Sequence, residues 1–551
     1  MSHKKLLLGD EAIGLGALHA GISGVYAYPG TPSTEITEYI QAHPLAKERN
    51  IHCDWRANEK TAMEAALGMS YAGKRALVCM KHVGMNVCAD GFVNSAVTGA
   101  NGGLVVTACD DPSQHSSQNE QDSRFYADFA MMPCFEPSNQ QEAFKMVQEA
   151  FDYSEKRHIP VLMRLTTRMA HSRAVVDEGE EFPREENDRH YPDKEHEKFW
   201  VTLPAIARGR IRQLAQDQEL FTKDSEESHF NVLKDGGDAS LGIITCGIAY
   251  NYLMENFPNG CPYPVLKVTR YPFPTALLRK LAAKCKTILV MEEGQPLVEQ
   301  RLRGLLYDGS SMVVKGRLDG TLPRTGELNP DLARKALGLK VKGIYSKSET
   351  AVPRPPALCQ GCGHRDFYAA LNLAVKKYGD EARIFGDIGC YTLGYMSPLN
   401  AIHTCVEMGA SLTMAVGAAD AGAWPSIAVI GDSTFTHSGM TGLLDAVNSK
   451  SDIVLCISDN LTTGMTGGQD SAGTGRLEDI CKGIGVEPEH IRTIVPLPKN
   501  YPEMERVIEE EIAYHGVSVI ISRRECIQTA KRHASAARTA AAANADNAKI
   551  K

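Results

Sequence analysis

No stretch of this chain is apolar enough, for long enough, to cross a bilayer. Even SLTMAVGAADAGAWPSIAVIGD is broken by charge, glycine or proline. The first residues, MSHKKLLLGDEAIG, hold two lysines but too short an apolar core for a secretory signal. Positive charge is not in excess: the net charge of −8 provides no field for nucleic acid. A disulfide framework is missing too, because 15 cysteines are scattered through 551 residues rather than crowded into a small domain. There is no dinucleotide fingerprint: GLGALHAG (14–21) begins like GxGxxG but places His19 where the third glycine belongs. Only three tryptophans are present, and they say nothing about an aromatic substrate. These absences predict a cytoplasmic protein without membrane or nucleic-acid partners, whose thiols are either buried or chemical.

What is present is glycine-rich α/β patterning, with 48 glycines. In residues 1–178, LLL (6–8), GVYAY (24–28), RALVCM (75–80), GLVVTACD (103–110) and IPVLMRL (159–165) read as strands between helical segments, the pattern of a parallel sheet. Residues 179–238 open on a run of charge and read as a linker and connecting segment. Residues 239–349 form a smaller α/β block with LGIITCG, YPVLKVT and TILVMEE as strands. A proline-rich joint opens residues 350–526, whose strands are ARIFGDIG, PSIAVIGD, DIVLCISDN and VSVIISRR. Residues 527–551 are alanine-rich and read as a helical or disordered appendage.

The third block carries the chemistry. One strand ends in Gly431-Asp432-Ser433 and a second ends in Asp459-Asn460, so both polar clusters lie at carboxyl ends of parallel strands, where α/β sheets bind ligands. Oxygen donors there suit Mg²⁺ bridging to phosphates. The same block holds a CxxC pair, Cys359 and Cys362, which taken alone fits half a zinc site, a dithiol pair, part of an iron–sulfur site or two packed thiols.

GDS, the following spacer, Asn460 and then TGGQ resemble the diphosphate-and-magnesium motif of 2-oxoacid:ferredoxin oxidoreductases. The resemblance implies thiamine diphosphate held through Mg²⁺ by Asp432, Asn460 and the carbonyl of Thr462, with Gly431 and Ser433 beside them. YPGTPSTE (28–35) resembles the superfamily's pyrimidine-side motif and brings in Tyr28 and Thr31. NEKTAMEAALGMSYAG (58–73) resembles the helix with the cofactor-activating glutamate, which the register puts at Glu59, with Glu64 as rival. Such a carboxylate would share a proton with the aminopyrimidine ring.

KHVGMN (81–86), DDPSQHSSQNEQDSR (110–124), GDIGCYTLG (386–394) and SRREC (522–526) resemble the large subunit of the indolepyruvate:ferredoxin oxidoreductase family. The resemblance implies two thiamine-binding parallel-sheet domains, pyrimidine and diphosphate, with a transketolase C-terminal-like α/β domain between them. It implies oxidative decarboxylation of an arylpyruvate to an acyl-CoA, a small beta subunit, ferredoxin as acceptor and dimerised large subunits. His82 joins the cofactor-binding candidates, while His115, Lys81 and Arg124 stay open as contacts to a substrate carbonyl, carboxylate or phosphate. The resemblance also implies one proximal [4Fe–4S] cluster on Cys359, Cys362, Cys390 and Cys526. Many large subunits of this family end in a ferredoxin-like part with two CxxCxxCxxxCP runs; this sequence shows none, and no cysteine follows Cys526. The alternative is a non-oxidative decarboxylase that releases an aldehyde.

Overall fold

The computed structural model describes residues 4–179, 183–192, 194, 198–305, 312–341, 349–350, 352 and 356–535. The chain divides into two compact units, Met1–Ser346 and Lys347–Lys551. Among the described residues no helix is long and apolar enough to cross a membrane.

The first unit contains a seven-stranded sheet in the order Arg270–Tyr271, Cys134–Phe135, Val161–Thr166, Leu104–Asp110, Ala76–Lys81, Gly24–Ala27, His52–Trp55. All neighbours are parallel except the first pair. Leu104–Asp110 and Val161–Thr166 are buried along their whole length, as central strands covered by helices on both faces must be. A five-stranded sheet follows, in the order Val313–Lys315, Thr287–Met291, Gly242–Cys246, Val265–Val268, Val232–Lys234, with only the last antiparallel.

Buried ion pairs run through this unit, and one of them reaches the five-stranded sheet. Arg164 meets Asp110 at 2.5 Å and also Glu136, while Arg124 meets Asp122 at 2.6 Å and Glu292, which follows the strand Thr287–Met291, at 3.0 Å. Both guanidinium groups are essentially inaccessible, so each is compensated from inside.

Three expectations change. LLL (6–8) does form a strand, Lys4–Leu8, but it pairs antiparallel with Arg173–Asp177 in a separate ribbon. The main sheet instead takes an edge strand, His52–Trp55, whose polar sequence HCDW hides it. The segment 179–238 contains the helix Pro204–Glu226, which buries Leu214 and Phe221 and is more than a solvated connection. The alanine-rich tail begins as a helix at 527–535; positions 536–551 lie outside the described residues.

The second unit is built on a six-stranded, wholly parallel sheet, in the order Thr404–Cys405, Arg383–Gly386, Ser426–Gly431, Ile453–Asp459, Val517–Arg523, Ile491–Ile494. The strand alternation is clean: Ile427 and Val429 face one apolar cluster with Phe367 and Tyr368, Ala428 and Ile430 the other with Leu412 and Phe435. Burying both faces fixes the register. It therefore fixes which loops emerge together at the carboxyl ends of Ser426–Gly431 and Ile453–Asp459.

Candidate functional site

The diphosphate-side loops are set by two strand ends. Ser426–Gly431 runs straight into a helical turn at Asp432–Thr434, and Ile453–Asp459 into the loop that starts at Asn460. Leu461 adopts a left-handed φ of 62°, which turns the chain so that the Thr462 amide N–H donates to Asn460 Oδ1 at 3.1 Å. Ser433 and Thr463 share a hydroxyl hydrogen bond of 2.9 Å across the two loops.

Asp432 is 3 % exposed, and among the described residues its Oδ2 has no hydrogen-bond partner. Burial, with Asp459 close by, pushes its carboxyl up to about 7. A buried oxygen that lacks a proton donor is the environment a hard cation completes. Asp432, Asn460 Oδ1 and the Thr462 carbonyl therefore fit Mg²⁺. His364, buried and pushed down to about 4, is neutral at physiological pH; its Nε2 accepts from Asn460 Nδ2 at 3.5 Å. Reading the sequence passed over His364, though it stands two residues after the CxxC pair.

Next to this loop lies a cavity of about 100 Å³ lined by Cys359, Cys362, Cys390 and Cys526 together with Asn460 and Gly464. Cys362 precedes the helix Gly363–Val375, Cys390 opens the turn Cys390–Tyr395, and Cys526 follows Val517–Arg523, its N–H donating to the Asn460 carbonyl at 3.0 Å. Among the described residues no three of these sulfurs lie within 4.8 Å of one another, so the set is wider than a single zinc ion would draw together. Burial and the neighbouring thiols push Cys390 up to about 12, and Cys362 also rises. Cys362 and Cys390, which disfavour ionisation alone, are suited to a group that takes them as thiolates. Cys405 is exposed and contacts the Asp387 carbonyl instead; Cys456 and Cys481 are buried.

The pyrimidine-side residues belong to the first unit. Glu59 is the first residue of the helix Glu59–Tyr71, behind Asn58, whose side chain caps Thr61 N–H at 2.9 Å. It is 5 % exposed. A Cβ at Gly84 would come within 2.6 Å of Glu59 Cγ, so the helix His82–Thr98 leaves room for that carboxyl only because residue 84 has no side chain. Glu64 instead is exposed and pairs with Lys60. Tyr28 is buried, and the Thr31 carbonyl accepts from Ser116 Oγ at 3.3 Å. His82 is fully buried; Nε2 is 3.3 Å from Asn119 Oδ1, and Nδ1 has no hydrogen-bond partner.

The open candidates separate. Lys81 donates to the Ser116 carbonyl at 2.7 Å, and burial lowers it to about 8. His115 is exposed and 3.4 Å from Glu327. Arg124 is removed as a substrate anchor, because its guanidinium is 1 % exposed and committed to Asp122 and Glu292.

Comparison with known proteins agrees with these two halves. Residues 15–227 match the family described as pyruvate flavodoxin/ferredoxin oxidoreductase, thiamine diphosphate-binding. Residues 387–521 match the C-terminal binding domain of thiamine pyrophosphate enzymes. The indolepyruvate oxidoreductase subunit IorA of Archaeoglobus fulgidus is 40 % identical, over 95 % of this chain and 86 % of its own length. This chain belongs to the indolepyruvate oxidoreductase IorA family. A second IorA relative, from Methanothermobacter thermautotrophicus, is 38 % identical over 95 % of this chain and 87 % of its own. A solved 2-oxoglutarate:ferredoxin oxidoreductase from Magnetococcus marinus is 17 % identical with a TM-score of 0.45, over 57 % of this chain and 62 % of that one. As an IorA-family chain it is a 2-oxoacid oxidoreductase subunit, and thiamine diphosphate is the cofactor of both matched families.

Proposed function

We propose that this chain carries out the oxidative decarboxylation of an arylpyruvate, such as indolepyruvate or phenylpyruvate, to an acyl-CoA. Electrons leave through one [4Fe–4S] cluster held by Cys359, Cys362, Cys390 and Cys526, towards ferredoxin or a partner subunit. The observation that carries the reading is the cavity those four thiols share with Asn460, beside the Asp432 loop. The IorA relatives, indolepyruvate oxidoreductase subunits, support the arylpyruvate.

Bound thiamine diphosphate supplies a nucleophilic carbon and an electron sink for the carbon that loses CO₂. Asp432, Asn460 Oδ1 and the Thr462 carbonyl would hold Mg²⁺, which would supply positive charge for a diphosphate, with Gly431 and Ser433 lining that loop. Glu59, which is buried, would hold or release a proton at the pyrimidine ring nitrogen. Tyr28, Thr31 and His82 line the pyrimidine side, and the unpartnered His82 Nδ1 is a polar handle for cofactor or substrate. The large subunits work as a dimer, accompanied by a small beta subunit.

The test is viologen reduction by the anaerobically purified assembly with indolepyruvate, phenylpyruvate, branched 2-oxoacids and pyruvate. CoA-dependent reduction fastest with an arylpyruvate is expected. Aldehyde release without viologen reduction would make the chain a non-oxidative decarboxylase instead.

A further inference from the structure

A second group of potential ligands lies in the first unit, carried by three helices. Asp10 is in the first turn of Gly9–His19, Glu35 in the first turn of Thr34–Ala42, and His171 ends Thr167–His171. One carboxylate oxygen from each acid and one ring nitrogen all lie within 4.8 Å of one another. His171 Nε2 is 3.4 Å from Glu35 Oε2. That equals the edge of about 3.4 Å between two ligands at about 2.1 Å from one tetrahedral ion.

Asp10 is the decisive member. It is 0 % exposed, and among the described residues neither carboxylate oxygen has a hydrogen-bond partner. A buried carboxylate without donors is strongly unfavourable unless a cation or a proton compensates it. Among the described residues no arginine or lysine pairs with it: Arg173, the basic side chain near the helix start, bonds Glu11 at 3.2 Å. The helices are locked at close range. A Cβ at Gly9 would lie 2.1 Å from the Met169 carbonyl oxygen, and one at Gly14 would lie 3.2 Å from the Ile36 carbonyl oxygen. The ligand-bearing turns are thus held together by backbone packing before any ion binds. Glu35 and His171 keep 36 % and 33 % of their side chains exposed, which leaves an entry path.

We propose that Asp10, Glu35 and His171 form a binding site for a divalent transition-metal ion. One imidazole with two carboxylates suits Mn²⁺, Fe²⁺ or Zn²⁺ better than Mg²⁺ or Ca²⁺, which prefer oxygen alone. The ion ties together the three helix ends, one of which directly follows the turn holding Tyr28 and Thr31. Its role is to brace that turn, separately from the Mg²⁺ at Asp432.

The probe is Mn²⁺, which is less drawn to thiols than Zn²⁺ and is counted by electron paramagnetic resonance. The chelator-treated full chain should bind one more equivalent than His171→Ala, and Mn²⁺ should raise its melting temperature by more than it raises the variant's. His171 lies at the surface, so its removal leaves the core intact; Asp10→Asn should show the same loss of one equivalent. Equal Mn²⁺ stoichiometry and equal thermal response in wild type and His171→Ala would overturn the proposal. Asp10 would then be a protonated acid facing Glu35.

Discussion

The interiors of the two units handle charge in opposite ways. In the first, Arg124 and Arg164 are enclosed by Asp110, Asp122, Glu136 and Glu292, and the charges compensate one another. In the second, Asp432 is as deeply buried but keeps an oxygen without a partner, beside a cavity lined by four thiols. A closed network holds sheets together; an open one keeps its interaction energy for something that arrives later. Each variant below acts on one side of that contrast.

The largest effect is expected where chemistry is separable from architecture. Glu59→Gln should lower kcat by roughly 10²–10⁴-fold while leaving the unfolding midpoint and thiamine diphosphate affinity nearly unchanged. Glu64→Gln should do neither, because that side chain is exposed and paired only with Lys60. A Glu59→Gln enzyme with full activity would refute the assignment of the activating carboxylate.

Arg164→Met attacks the closed network. It removes the buried cation that Asp110 and Glu136 share, leaving Asp110 only its Ser123 hydrogen bonds, and should cost about 3–5 kcal/mol, read as a lower urea midpoint of the first unit. Asp432→Asn attacks the open one. Mg²⁺-dependent binding of thiamine diphosphate should weaken about 100-fold, with no loss of stability in the cofactor-free chain. If both variants unfold the protein alike, the contrast between the two interiors fails.

The smallest effect is a pH slope. Glu293 is buried, accepts from Leu328 N–H at 2.9 Å, and has Arg317 only at 3.5 Å. Burial raises it from 4.5 to about 7. An acid raised by folding stabilises fully below its unfolded value and loses that contribution as pH rises through its folded value. The first unit should therefore lose about 1–3 kcal/mol between roughly pH 4.5 and pH 7. Glu293→Gln should flatten that slope in pH-dependent denaturation.

The sequence carried the fold wherever apolar runs are fully buried. The strands Ala76–Lys81, Leu104–Asp110, Ser426–Gly431 and Ile453–Asp459 are legible because both faces pack. His52–Trp55 was hidden because an edge strand needs little apolar surface. The strand Lys4–Leu8 was legible but not its partner, since pairing with Arg173–Asp177 is a long-range choice. The family resemblance, rather than spacing alone, pointed to Asp432, Asn460 and the four cysteines, which stand near strand ends and a helix start. The sequence left Arg124 open, because its acidic partners include Glu292, far along the chain. Asp10 gave no local signal either: its neighbours Glu35 and His171 lie on separate helices.

The most direct test of the central claim is iron and acid-labile sulfide in the anaerobically purified chain, measured beside a Cys390→Ala variant. The account predicts about four irons and four sulfides per chain, with a broad absorption near 400 nm that is lost in the variant. An iron-free chain that still decarboxylates, or the same iron content in both proteins, would contradict it.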